Sequence, residues 1–178
     1  MQATPTRSEE EVLGNEAFDA LLWSLSRPGQ VRTLPTAGET ALISALLDRE
    51  CAASCDDPLL IPAIMQTGAA VADIAMADHV FLGQSANPAR LKGVRLGSDL
   101  YPDDGATVIV RGQIGSGRGL TLKGPGVDGA LDIQLNGISA EFWQTRKTLI
   151  RYPMGFDLFV LDGSKVMGLP RSTNVEVL

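Results

Sequence analysis

The chain has 178 residues with 15 Lys plus Arg, 21 Asp plus Glu, one His and two Cys, a formal net charge of -6. That length fits one domain, and it buries enough surface to fold without disulfides or a metal. The composition excludes a four-thiolate zinc site, a histidine-rich metal centre and a duplex-DNA binder, which needs a basic footprint. Any Ser-His-Asp or Cys-His arrangement must use His79, the only histidine.

The acidity is local. Residues 1–60 carry ten acidic and four basic side chains, whereas the rest of the chain is balanced. No apolar run is long enough for a transmembrane helix, and Met1–Glu11 lacks the apolar centre of a signal peptide. Cys51 and Cys55 then read as free thiols of a cytoplasmic protein.

In chain order, a polar, flexible N-terminus over residues 1–12 precedes a single domain over 13–178. Asn15 is expected to cap a helix with the apolar stripe Phe18, Leu21, Leu22 and Leu25, ended by Arg27-Pro28-Gly29. Thr36 to Glu39 has the spacing of a capping box and opens a helix through Ala41, Leu42, Ala45 and Leu46, closing near Glu50. Asp57-Pro58 starts a third helix, carrying Leu60, Ile61, Ile64 and Met65 and stopping at Gly68.

The character then changes to strands. Ala70–Ala72, His79–Leu82, Ala106–Arg111, Leu120–Lys123 and Leu131–Leu135 are β-rich. Ser85 is expected to cap a brief helix ending near Lys92, and Ser139 one that runs to Leu149. Gly115 to Gly119 is expected to form a hairpin loop. Asp157–Leu161 and Lys165–Leu169 flank Asp162-Gly163, a strong hairpin dipeptide. Early helices followed by strands with helices between them predict a single α/β or α+β domain, a mixed sheet covered by helices, and α/β is taken as the fold class.

Two glycine-rich runs resemble nucleotide motifs and miss their essentials. Gly112 to Gly119 lacks the Lys and hydroxyl of a P-loop, and a strand follows it instead of a helix. Gly124-Pro125-Gly126-Val127-Asp128-Gly129 satisfies G-x-G-x-x-G, but Pro125 removes a donor and a strand follows again, so a tight turn is expected. Cys51 and Cys55 are expected as partly buried thiols at a helix end, not as metal ligands, and His79 as an ordinary strand histidine.

Two later segments carry more chemistry: Tyr152-Pro153-Met154-Gly155-Phe156-Asp157 and Leu169-Pro170-Arg171-Ser172-Thr173. Arg171 with the hydroxyls of Ser172 and Thr173 suits an anion, with Asp157 or Asp48 as orienting carboxylate. The alternative is an Arg171–Asp157 ion pair that locks the C-terminal hairpin. No nucleophile–base pair is assignable, so no catalytic residue, cofactor or metal is named.

These segments, with Arg27-Pro28-Gly29, Leu46-Leu47-Asp48, Gly105 to Ile109, Leu122 to Val127 and Asn174 to Val177, resemble the PhnH subunit of the bacterial carbon–phosphorus lyase system from about residue 18 onward. The family's Pro-Arg-Thr-Thr block reads Pro-Arg-Ser-Thr here, which keeps the hydroxyl. The resemblance implies a fold similar to the large domain of fold-type I pyridoxal-phosphate transferases, without that cofactor. It implies a homodimer that joins G, I and J subunits in a core complex handling alkylphosphonates. It implies participation with the G, I and L subunits in replacing the adenine of ATP by an alkylphosphonate. The product is a ribose 1-phosphonate 5-triphosphate, whose carbon–phosphorus bond the J subunit breaks. The role expected of this chain is mainly assembly, without nucleic acid or membrane. A stand-alone nucleotide- or phosphate-binding enzyme using the Gly-rich loops, and a homodimeric binding module, are the alternatives.

Overall fold

The computed structural model describes residues 7–84 and 86–178. Its frame is a seven-stranded sheet in the order β1-β9-β8-β5-β4-β2-β3. The strands are β1 (Val31–Thr33), β2 (Ala52–Cys55), β3 (Ala70–Val71), β4 (His79–Gly83), β5 (Thr107–Arg111), β8 (Asp157–Asp162) and β9 (Lys165–Leu169). A second sheet, β10-β6-β7, is built from β6 (Gln113–Lys123), β7 (Leu131–Asn136) and β10 (Asn174–Val177).

The centre of the large sheet, β8-β5-β4-β2, is parallel and buried on both faces. This explains why its strands read as unbroken apolar runs without alternation. Residues of opposite parity serve opposite layers. Val80, Leu82, Val108, Val110, Leu158 and Val160 pack against the small sheet and helix α5 (Ala140–Leu149). Phe81, Ile109, Phe159 and Leu161 pack against helices α1 (Glu9–Ser26), α2 (Glu39–Leu46) and α3 (Ile61–Gln66). The molecule is therefore a single-domain α/β fold with a mixed sheet and helices, as the sequence predicts.

Several local expectations hold. Ser139 caps α5 by accepting from Phe142 N at 3.2 Å. Asp57 caps a 3-10 turn, Pro58–Leu60, that leads into α3. Asp162-Gly163 closes the β8–β9 hairpin, with Gly163 at φ +61°. Gly124, Gly126 and Gly129 all take positive φ in the β6–β7 turn, as a tight turn requires.

Others need correction. Helix α1 begins at Glu9, not after Asn15, because Ser8 and Glu11 form a complete capping box. Its sheet-facing stripe is Ala17, Ala20, Leu21 and Ser24, whereas Phe18 and Leu22 face outward. The small side chains bring the helix down onto β9. A Cβ added at Gly168 would lie 2.6 Å from the Ser24 carbonyl carbon. Thr36 does not cap α2. Gly38 holds that position without a side-chain bond, and α2 ends at Leu46 instead of near Glu50. Gly115 to Gly119 is not a hairpin loop but the middle of β6, where the register against β7 shifts between Ile114 and Arg118. Gly115 and Gly117, at φ +90° and +85°, permit that bulge. Ser85 lies outside the described residues, and Asn87 caps the short helix α4 (Pro88–Leu91). The three-residue β1 and the four-residue β2 and β10 have no counterpart in the sequence reading.

Candidate functional site

Parallel strands give the sheet two chemically distinct edges, and each carries an ion cluster. At the amino edge, where β5 and β8 begin, Arg171 donates from Nε and Nη2 to Asp157 at 3.3 and 2.8 Å. It also donates to the carbonyls of Gly105, at 3.3 Å, and Pro102. The Asp157 carboxylate accepts from the Arg171 backbone N as well, at 2.8 Å. One guanidinium thus ties together the starts of two central strands and the Pro102 turn.

Beneath the same block lies Arg146, only 3% exposed. It donates to the carbonyls of Thr173 (3.1 Å), Pro170 (2.9 Å) and Leu169 (3.4 Å), with its guanidinium over the Phe156 ring. Burial lowers its pKa to about 10, so it stays charged at neutral pH. Sequence reading missed Arg146; its signal was an arginine on the face of α5 that also carries Phe142. Thr173 is buried and its Oγ1 has no hydrogen-bond partner, while Ser172 is partly exposed in the adjoining turn.

The structure brings Arg171, Ser172, Thr173 and Asp157 together and leaves Asp48 apart. Asp48 precedes β2, three strands from β8, roughly 14 Å away at the usual strand spacing. Its carboxylate accepts from Glu50 N at 2.8 Å and the Cys51 thiol, and these bonds hold its pKa low. Cys51 and Cys55 lie at the two ends of strand β2, not at a helix end, and burial raises both thiol pKa values. Among the described residues no group of His, Cys, Asp or Glu is arranged to hold a metal ion.

The carboxyl edge is different. The chain runs outward from β2 to β3, then returns past β2 to β4 and continues to β5 and β8. The order therefore reverses between β2 and β4, and open α/β sheets hold ligands beyond the carboxyl ends at such a reversal. A crevice of about 620 Å³ opens at the carboxyl ends of β4, β5 and β8, on the β5 side of that reversal, lined by Glu39, Gln84, Arg111, Gln113, Asn136 and Asp162 among others. Arg111, the last residue of β5, donates to Glu39 at 2.5 Å and Asp57 at 2.9 Å. Glu39 is 5% exposed, and its bond is the foremost reason that the Arg111 pKa is raised. The Leu59 backbone N–H and then Arg111 hold Asp57 low. Asp162 accepts from Ile114 N at 3.0 Å, and Asn136 donates to Gln113 at 2.8 Å. Two carboxylates on the one guanidinium, with Asp162 also on the crevice wall, leave an acid excess. The edge suits hydroxyl or amine groups better than a bare phosphate. The capping-box reading had assigned Glu39 a backbone role; only the tertiary fold gives it Arg111.

No helix among the described residues is long and apolar enough to cross a membrane. Comparison with known proteins gives two relatives. One, 32% identical over 169 residues, is HtxG of Stutzerimonas stutzeri, a protein named as a C-P lyase subunit; the alignment covers 90% of this chain and 85% of the relative. The other, 28% identical over 184 residues, is the alpha-D-ribose 1-methylphosphonate 5-triphosphate synthase subunit PhnH of Rhizobium meliloti, with 89% and 88% covered. The model of the family described as "Bacterial phosphonate metabolism protein (PhnH)" matches residues 9–176. With nearly every element from α1 to β10 inside that match, the chain belongs to the PhnH family.

Proposed function

We propose that this chain is a subunit of a carbon–phosphorus lyase core complex in organic phosphonate catabolism. In it, G, H, I and L subunits convert ATP and an alkylphosphonate to a ribose 1-alkylphosphonate 5-triphosphate. Its role is mainly assembly, as a cytoplasmic homodimer joined to G, I and J subunits, with no catalysis by the isolated chain. The supporting observation is the family match across residues 9–176. The shortage of reactive groups accords with it, since both thiols are held protonated and His79 is largely buried in a strand. Of the two roles open to Arg171, Ser172, Thr173 and Asp157, we take the structural one, because carboxylate and carbonyl oxygens already occupy the guanidinium.

Where the chain meets substrate, the contact belongs at the carboxyl-edge crevice, whose carboxylates and amides match sugar hydroxyls. We take its fold to be similar to the large domain of fold-type I pyridoxal-phosphate transferases, without that cofactor, a reading that rests on the family resemblance. Co-expression with the neighbouring G, I and J subunits tests the assembly. The expected result is one stoichiometric complex, and a chain that purifies alone from that mixture refutes the reading.

A further inference from the structure

Helix α1 places several large apolar side chains on the wrong side for a helix that covers only its own sheet. Leu21 and the small residues Ala17, Ala20 and Ser24 meet the sheet, whereas Phe18 and Leu22 are 50% and 57% exposed and Val12 and Trp23 are 39% and 40% exposed. Scattered exposed apolar residues need no explanation, but four on one helix face mark a contact surface.

The charges on that face are equally unsatisfied. Glu16 and Asp19 share a flank of the helix with Trp23. The guanidiniums of Arg27 and Arg32 lie 5.2 and 5.1 Å from the Trp23 ring centroid. Among the described residues, none of these four has an ion-pair partner, and the buried Arg32 Nε has no hydrogen-bond partner. Glu16, Asp19, Trp23, Val31 and Arg32 line one groove of about 710 Å³ between α1 and the edge strand β1.

We propose that this face seats α1 of a second copy of the chain, antiparallel about a two-fold axis at the level of Leu22. The proposal rests on the homodimer reading above and names the surface that makes it. At a rise of about 1.5 Å per residue, Arg27 lies about 7.5 Å beyond Leu22, with Asp19 and Glu16 about 4.5 and 9 Å before it. Reversing the helix direction sets Arg27 of one copy level with the acids of the other, and symmetry repeats the pairing. Because the two-fold keeps the Trp23 flanks on the same side, Arg32 faces those acids too. A parallel pairing instead sets acids against acids and arginines against arginines. An unrelated partner would need a basic patch opposite Glu16 and an acidic one opposite Arg27. A second copy supplies both.

The test is a charge exchange read by sedimentation at low salt. One variant carries Glu16→Arg with Asp19→Arg; the other carries Arg27→Glu with Arg32→Glu. The wild-type chain is expected to dimerise. Each variant alone should self-associate at least about tenfold more weakly, a loss of about 1.4 kcal/mol. Mixed, the two should form a heterodimer of wild-type strength, which a folding defect cannot produce. Leu22→Glu, at an exposed position, should be monomeric with an unchanged circular-dichroism spectrum. Variants that dimerise like the wild type place the contact elsewhere and leave the homodimer reading standing. A monomeric wild type overturns the homodimer reading itself. Variants that lose other subunits but still dimerise overturn the assignment of this face to a second copy.

Discussion

Replacing Arg171 by alanine separates a structural lock from an anion contact. The side chain is 14% exposed and that of Asp157 23%. The substitution removes both bonds to Asp157 and those to the Pro102 and Gly105 carbonyls. It leaves Asp157 with one donor, the backbone N of residue 171. Breaking a buried ion pair from one side costs about 3–5 kcal/mol; partial exposure and the surviving donor reduce this to about 2–4 kcal/mol. For a domain of this length, that lowers the melting temperature by about 5–15 °C. Urea unfolding is the cleaner assay: the midpoint should fall at constant slope, and Arg171→Lys should lie between the two. An alanine variant that melts with the wild type while growth on phosphonate is lost would refute the lock and restore Arg171 as an anion contact.

His79 should make stability sensitive to mild acid. Burial lowers its pKa, although Asp78 and Asp48 pull it upward, and Nδ1 is buried without a partner. The unfolded chain binds the proton first, so stability falls as pH drops below about 6.5, by at most about 1.4 kcal/mol per pH unit. His79→Gln should flatten urea midpoints between about pH 7 and pH 5; an unchanged pH dependence assigns it elsewhere. Gly168→Ala should cost about 1–3 kcal/mol, because its Cβ would press on the α1 backbone at Ser24 and Leu25. Gly14→Ala, in open space on the same helix, should gain about 0.5–1 kcal/mol. Chemical denaturation of the pair checks both signs. Glu39→Ala should destabilise by about 1–3 kcal/mol, since Arg111 keeps Asp57 as a partner, and adding Asp57→Asn should cost more, because the guanidinium then loses both carboxylates. A double variant as stable as the single one would contradict this account.

What the sequence determined by itself was local and chemical. Ser139, Asp57 and Asp162-Gly163 act through neighbours within a few residues, so caps and the hairpin were legible. Apolar runs such as Val108 to Val110 announced buried strands, and the scattered motifs sufficed for the family resemblance. Tertiary structure decided what depends on distant partners. Whether Phe18 or Ala17 faces inward turns on how closely α1 approaches Gly168, which no helical period records. Glycines 115 and 117 look like a loop until β7 pairs across them and makes them a bulge. Asp157 and Arg171 were readable as a pair because they flank one hairpin, whereas Glu39 and Arg111 stand 72 residues apart. Only the parallel order of β8, β5, β4 and β2, fixed by burial on both faces, brings the second pair to one edge and leaves the first at the other.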